Sequence, residues 1–114
     1  MSTSADIALE HRDTAVVARL AGEVDMSNAE YVREELLRSV PNEAHSLILD
    51  LEHTRYLDSA AVELLFDLAR RLGRRRQGLR LVLPPSSPLK RVLVLTEVGS
   101  VAPLHDTLDS ALAG

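Results

Sequence analysis

The stretch that most constrains this chain is "SLILDLE", residues 46–52. It is an almost continuous aliphatic run, without the alternation of a strand that keeps one face in water. Such a run is buried on both faces, which points to a central, parallel position in a sheet. The rest of the chain must then supply helices as cover.

The flanking sequence has that pattern. "DIALE" (6–10) alternates weakly and reads as an edge strand, with "HRD" (11–13) as a tight polar turn. "TAVVARLAG" (14–22) reads as a second strand ending at Gly22, and the two can pair as a hairpin. In "SNAEYVREELLRSV" (27–40), Ala29, Val32, Leu36, Leu37 and Val40 form one helical stripe. Ser27 with Glu30 fits a capping box, and Pro41 ends the helix. In "AAVELLFDLARRLGRRRQG" (60–78), Val62, Leu65, Leu68, Ala69 and Leu72 recur at helical spacing, with Gly78 as the expected stop.

"LRLVLP" (79–84) is a further short strand. "PSSPLKRVLVLTEVGS" (85–100) offers Ser87 as N-cap and Pro88 at the first helical position, with Gly99 near the end. "VAPL" (101–104) adds a short strand and "DTLDSALA" (106–113) a last helix. Strands alternating with helices after an opening hairpin predict an α/β fold with right-handed crossovers. No repeat or linker divides the chain, so residues 1–114 are read as one domain.

Composition narrows the function. Aromatic residues make up 3% and Trp is absent, so Leu, Val, Ile and Ala must build the core. With no cysteine, disulfides and thiolate metal sites are excluded. A net charge of −4 argues against nucleic acid. The opening "MSTSADIALEHRD" lacks the basic and apolar regions of a signal peptide. No apolar run approaches the roughly 20 residues of a membrane span, so a cytoplasmic protein is expected. The arginines of "RRLGRRR" (70–76) read as a solvated helix end, where cations meet the negative end of the dipole, or as a docking patch for an acidic partner.

Catalysis lacks its signature. Ser59 is not in a G-x-S-x-G elbow, and His11, His45, His53 and His105 are scattered. No histidine pair has metal-ligand spacing and no glycine loop fits phosphate, so neither metal nor cofactor is expected. "YLDSAAVELL" (56–65) remains. Its Asp58-Ser59 pair is expected in the loop between the aliphatic strand and a helix, at the carboxyl end of the sheet, where function gathers. Either residue can cap the helix, and a hydroxyl there is also open to another protein.

Three motifs in register resemble one family. "LAGEVDMSNAEYVREELL" is similar to the opening of STAS domains. "LILDLEHTRYLDSAAVELL" resembles their central strand and switch loop, and "LVLPPSSPLKRVLVLTEVGSVAPLHDTLDSAL" their last third. Within that family, a short stand-alone chain is most similar to the bacterial anti-sigma factor antagonists. The resemblance implies a STAS-type fold, with a four- or five-stranded mixed sheet and about four helices.

It also implies a mechanism. The antagonist binds an anti-sigma factor that is also a serine kinase, and so frees a sigma factor; phosphorylation blocks binding, and a phosphatase restores it. Carried onto this sequence, the phosphoacceptor is Ser59, and the partner surface comprises Glu23, Asp25, Asp58, Ser59, Ala60 and Ala61. The chain departs from the family pattern at Ala61, where Gly is usual, and at Ala60, where a second hydroxyl is common. The added methyl of Ala61 is expected in the contact surface. The resemblance leaves the chain a monomer or weak dimer. Two other readings stand beside this one: a non-switching STAS subunit or scaffold of a lipid-transport or stress-signalling complex, and a small hydrolase with Ser59 as nucleophile.

Overall fold

The computed structural model describes residues 4–114; the first three residues of the segment read as lacking a leader pattern lie outside the described residues. The chain runs β1 (Ala5–Arg12), β2 (Ala15–Val24), α1 (Ala29–Arg38), β3 (Ser46–Asp50), β4 (Thr54–Leu57), α2 (Ser59–Arg74), β5 (Gly78–Val82), α3 (Leu89–Leu95), β6 (Leu104–His105) and α4 (Leu108–Ala113). The sheet is mixed and six-stranded, in the order β1-β2-β3-β5-β6, with β4 pairing beside β2. Only the β1–β2 hairpin is antiparallel; β2, β3, β4, β5 and β6 pair in parallel.

The aliphatic run behaves as its composition requires. All five residues of β3 are buried, between β2 on one side and β5 on the other. Leu47 and Leu49 enter the main core, which α1, α2 and α3 cover with Val32, Leu36, Leu65, Leu68 and Leu93. Ile48 faces the opposite way, into a smaller cluster that α4 closes with Ala111. Both faces are covered, so the strand needs no polar alternation.

The sheet has one strand more than the four or five expected. The extra one is β4, from the segment "HTRYLDS" that reads as a loop; Asp58 therefore follows β4 and not the aliphatic strand directly. Its register with β2 shifts by one residue between Gly22 and Glu23, which face Thr54 and Tyr56, so Arg55 is the extra residue of a bulge on β4. Gly22 sits there at φ 105°, and a Cβ on it would run into the Ser4 carbonyl, so the position suits only glycine.

Several expected boundaries shift. β1 runs on through His11 and Arg12, which read as part of the turn, and β2 passes Gly22 to end at Val24. The helix expected from Ser27 begins at Ala29 with Asn28 as N-cap, so Ser27 lies before the helix and does not form the predicted capping box. The long helix ends at Arg74, and Arg76 takes the left-handed conformation at φ 60°. Gly78 therefore opens β5 and is not the helix stop. The chain is held at that turn by buried Gln77, whose amide donates to the Pro41 and Ala44 carbonyls at 2.8 and 3.0 Å. The short strand expected at 101–104 forms instead at Leu104–His105. The helix expected with Ser87 as N-cap and Pro88 as its first residue starts one position later, at Leu89 with Pro88 as N-cap, although the Ser87 hydroxyl accepts from the Leu89 amide at 3.2 Å.

The basic run at 70–76 is partly engaged within the chain, while Arg70, Arg74 and Arg76 are exposed at the end of α2. Arg70 and Arg71 pair with Asp67, and Arg75 donates to the Leu37 and Val40 carbonyls at the end of α1. The Arg75 bonds tie the end of α2 to the end of α1, with both helix amino ends at the carboxyl end of the sheet. They favour the structural reading of the arginines.

Candidate functional site

The parallel pairing of β2 with β4 brings two loops to the same end of the sheet. One follows Val24 and leads into α1; the other is Asp58, between β4 and α2. Asp58 joins them. Its backbone amide donates to the Val24 carbonyl at 3.2 Å. One carboxylate oxygen accepts from the Ala61 amide at 3.0 Å, which caps α2. The other accepts from the Met26 amide, also at 3.0 Å, across 32 positions of sequence. A single side chain thus closes a helix end and fixes the neighbouring loop.

That loop is stitched by its own polar residues. Asn28 accepts from the Asp25 amide at 3.0 Å and donates to the Glu23 carbonyl at 2.9 Å. Asp25 accepts from both the amide and the hydroxyl of Ser27, at 2.9 and 2.6 Å. Glu23 reaches the other way and pairs with Arg55 on β4.

Ser59 stands at the first helical position of α2 and is exposed. Its hydroxyl makes no hydrogen bond among the described residues, since Asp58 does the capping. The two roles that the sequence leaves open for this pair are therefore divided. Asp58 holds structure, and Ser59 presents an unused oxygen at the positive end of a 16-residue helix.

Of the six residues read as the partner surface, five reach or border solvent: Ser59 is exposed, and Glu23, Asp25, Asp58 and Ala60 are half-buried. Ala61 is different. It is 1% exposed and its methyl packs in the main core, so it cannot touch a partner directly. As the third residue of α2 it faces the core, where the alanine contributes packing and helix propensity.

The sequence reading misses Met26. Its side chain is 83% exposed, and its amide is held by Asp58, so an apolar group stands out of the loop beside Ser59. Tyr56, at the end of β4, is half-exposed as well. An apolar residue isolated among the polar ones of "EVDMSN" is the signal that could have found it. A groove leads away from the site between α1 and α2, lined by Met26, Ala29 and Arg33 on one wall and Ala60, Leu64 and Arg70 on the other.

The division of labour gives a pair of expected results. Ser59→Ala should change the unfolding free energy by less than about 0.5 kcal/mol, as exposed sites without partners do. Asp58→Ala should cost about 1–2 kcal/mol, the range for a lost helix cap. Urea unfolding of the two variants beside wild type reads both; a larger loss for Ser59→Ala would return the capping role to the serine.

Comparison with known proteins places this arrangement. Residues 6–111 match the family model of the STAS domain. The anti-sigma-F factor antagonist RsfA of Mycobacterium tuberculosis is 28% identical over 116 residues, spanning 99% of this chain and 89% of the relative. Among solved structures, an anti-sigma factor antagonist from Mycobacterium paratuberculosis superposes with a TM-score of 0.84 at 26% identity, covering 96% of this chain and 92% of the other. The Bacillus cell fate determinant SpoIIAA, solved in its phosphorylated form, does so with a TM-score of 0.68 at 24% identity, covering 95% and 97%. The fold, the order of its elements and the family match over nearly the whole length agree: this chain belongs to the STAS domain family.

Proposed function

We propose that this chain is an anti-sigma factor antagonist whose grip on its partner is switched by phosphorylation of Ser59. The observation that carries the reading is the exposed, unbonded Ser59 hydroxyl beside a carboxylate that organises both flanking loops. The names of the relatives supply the class of partner, an anti-sigma factor. A structural neighbour solved in a phosphorylated form supports the class of modification.

The partner is an anti-sigma factor with serine kinase activity. It binds the unphosphorylated surface formed by Glu23, Asp25, Met26, Asp58, Ser59 and Ala60, and releases its sigma factor. Met26 supplies the apolar anchor that the acidic residues cannot. Once bound, the kinase moves the terminal phosphoryl group of ATP onto the Ser59 oxygen. The hydroxyl proton leaves and ADP departs. A phosphatase hydrolyses the ester and resets the surface. The chain is the substrate of these enzymes and performs no catalysis itself. An anti-sigma factor works where transcription does, so this reading has the chain act in the cytoplasm.

The test begins with capture of partners from the source cell, with mass spectrometry of both the partner and this chain. Purified partner is then supplied with ATP and either wild type or Ser59→Ala. The expected result is one phosphate on wild type, located on Ser59, and none on the variant. A partner that binds the chain but never phosphorylates it would overturn the switch and favour the non-switching scaffold.

A further inference from the structure

We infer that the open edge of β1 is a self-pairing surface, through which two copies of the chain join their sheets antiparallel about a two-fold axis at Leu9. This proposal is independent of the Ser59 switch.

The argument starts from which backbone groups β1 has left over. In a strand, a residue's amide and carbonyl point to the same side, and that side alternates along the chain. The Thr14 carbonyl accepts from the His45 and Ser46 amides, and the Gly22 amide donates to His53. The even-numbered residues along β2 therefore face β3 and β4. The Glu23 amide donates to the Ser4 carbonyl, so the odd-numbered ones face β1. Through the register Ala15 to Arg12, Val17 to Glu10, Arg19 to Ala8 and Ala21 to Asp6, β1 spends its even-numbered residues. Ile7, Leu9 and His11 turn their amides and carbonyls to the outside. Among the described residues, nothing meets them.

Edge strands usually blunt themselves with proline, bulges or charged side chains. The charges of β1, Asp6, Glu10 and Arg12, alternate onto the face opposite Ile7 and Leu9, so the apolar face of the edge has no such guard. β1 has no proline and pairs with β2 without interruption over its full length. Leu9 is 49% exposed, and Tyr31 of α1, which lines the same shallow recess with Ile7 and Leu9, is 62% exposed. An antiparallel copy centred on Leu9 would set Leu9 against Leu9 and Ile7 against His11 of the second copy. Those are the residues whose backbone groups point outward, so each pair can exchange both of its hydrogen bonds. The apolar recesses of the two copies would then meet on one face of the joined sheet.

Charge selects this register over its neighbours. Centred on Leu9, Asp6 faces Arg12 of the second copy, and the two-fold repeats that contact. Asp6 forms no ion pair within its own chain among the described residues, whereas Arg12 reaches Glu10. Centred on Ala8, the strands would set Asp6 against Glu10 twice; centred on Glu10, they would set Glu10 against itself. Like charges directly opposite each other destabilise a pair of strands, and opposite charges favour it. Self-complementarity of this kind is what a two-fold interface demands. It also leaves the two Ser59 sites at opposite ends of the joined sheet, each open to its own partner.

The experiment is sedimentation of the intact protein over a wide range of concentrations, with wild type, Asp6→Arg, Arg12→Asp and the double swap. Wild type should pass reversibly from one chain to two. Asp6→Arg puts guanidinium groups opposite each other and should weaken dimerisation by about tenfold or more. Arg12→Asp should act likewise, and the double swap should restore dimerisation to within about threefold of wild type. Asp6 is exposed, so Asp6→Arg should keep the circular dichroism of wild type. Hydrogen exchange adds a direct reading: the Ile7, Leu9 and His11 amides should be protected at high concentration and exchange freely when dilute. A chain that stays single at every concentration overturns the proposal. So does a dimer indifferent to the charge reversals, which would use another surface.

Discussion

Replacing Leu65 by Ala should lower the unfolding free energy by about 2–5 kcal/mol, the largest stability effect expected of the substitutions considered. Leu65 lies on the buried stripe of α2 and is 2% exposed. It sits between Leu64 and Leu68, over a sheet face built by Leu47, Leu49 and Leu81. Removing its branched end leaves a void in a layer made almost entirely of aliphatic side chains. The chain's one Phe, Phe66, packs half-buried at the margin of this cluster, about 100° round the helix from Leu65, so the gap itself is bordered by aliphatic side chains. The loss therefore combines transfer and cavity terms with little relaxation. Denaturant titration gives the result, with Glu63→Ala as the comparison. Glu63 is exposed on the same helix and its replacement should stay within about 0.5 kcal/mol of wild type. An unchanged midpoint for Leu65→Ala would put this residue on the surface and refute the packing of α2.

The features legible in the sequence are those with a period. Val62, Leu65, Leu68 and Leu72 announce one face of α2 because burial recurs with each turn. "SLILDLE" announces a doubly covered strand because no position in it tolerates water. β4 carries no such signal. It has four residues, two of them exposed, and Arg55 is skipped where its register with β2 shifts, so even the two-residue alternation is broken. That partnership is tertiary, and a local pattern does not contain it. The misplaced helix stop has a similar cause. Glycine is the usual left-handed residue at a helix end, but here Arg76 adopts that conformation while Gln77 is anchored to the Pro41 and Ala44 carbonyls. The interaction that fixes the turn lies on the far side of α1.

At the candidate site, residue types are legible and their roles are not. Asp58 and Ser59 stand out in the sequence as a polar pair before an apolar helix, and either can cap. Only the geometry divides them, because the Asp58 carboxylate is shared between the amides of Ala61 and Met26. The second of those partners depends on the parallel pairing of β2 and β4. Ala61 fails as a surface residue for a related reason. At the start of a helix laid on a sheet, the third position beyond the cap already faces inward, so its methyl belongs to the core.

Phosphate on Ser59 should weaken binding to the anti-sigma factor by about a hundredfold or more, equivalent to roughly 3 kcal/mol. The group brings a charge of about −1.5 to −2 to an oxygen that has no partner in the free chain. In water, the amino end of α2 attracts it by about 0.3–1 kcal/mol. Two carboxylates oppose that attraction, Asp58 beside it and Glu63 four residues further along the same helix. The free chain therefore gains little and should keep its fold when phosphorylated. In the complex the same group would be cut off from water next to Asp58, and an unpaired buried charge costs several kcal/mol. Ser59→Ala removes the acceptor without adding charge and should bind as unphosphorylated wild type does. Ser59→Asp adds a single charge on a shorter arm and should lose about tenfold, between the two extremes. Calorimetric titration of the partner with wild type, the phosphorylated chain, Ser59→Ala and Ser59→Asp gives the four affinities on one scale. Equal affinity across all four would leave Ser59 an idle hydroxyl, and the site would then belong to a scaffold that does not switch.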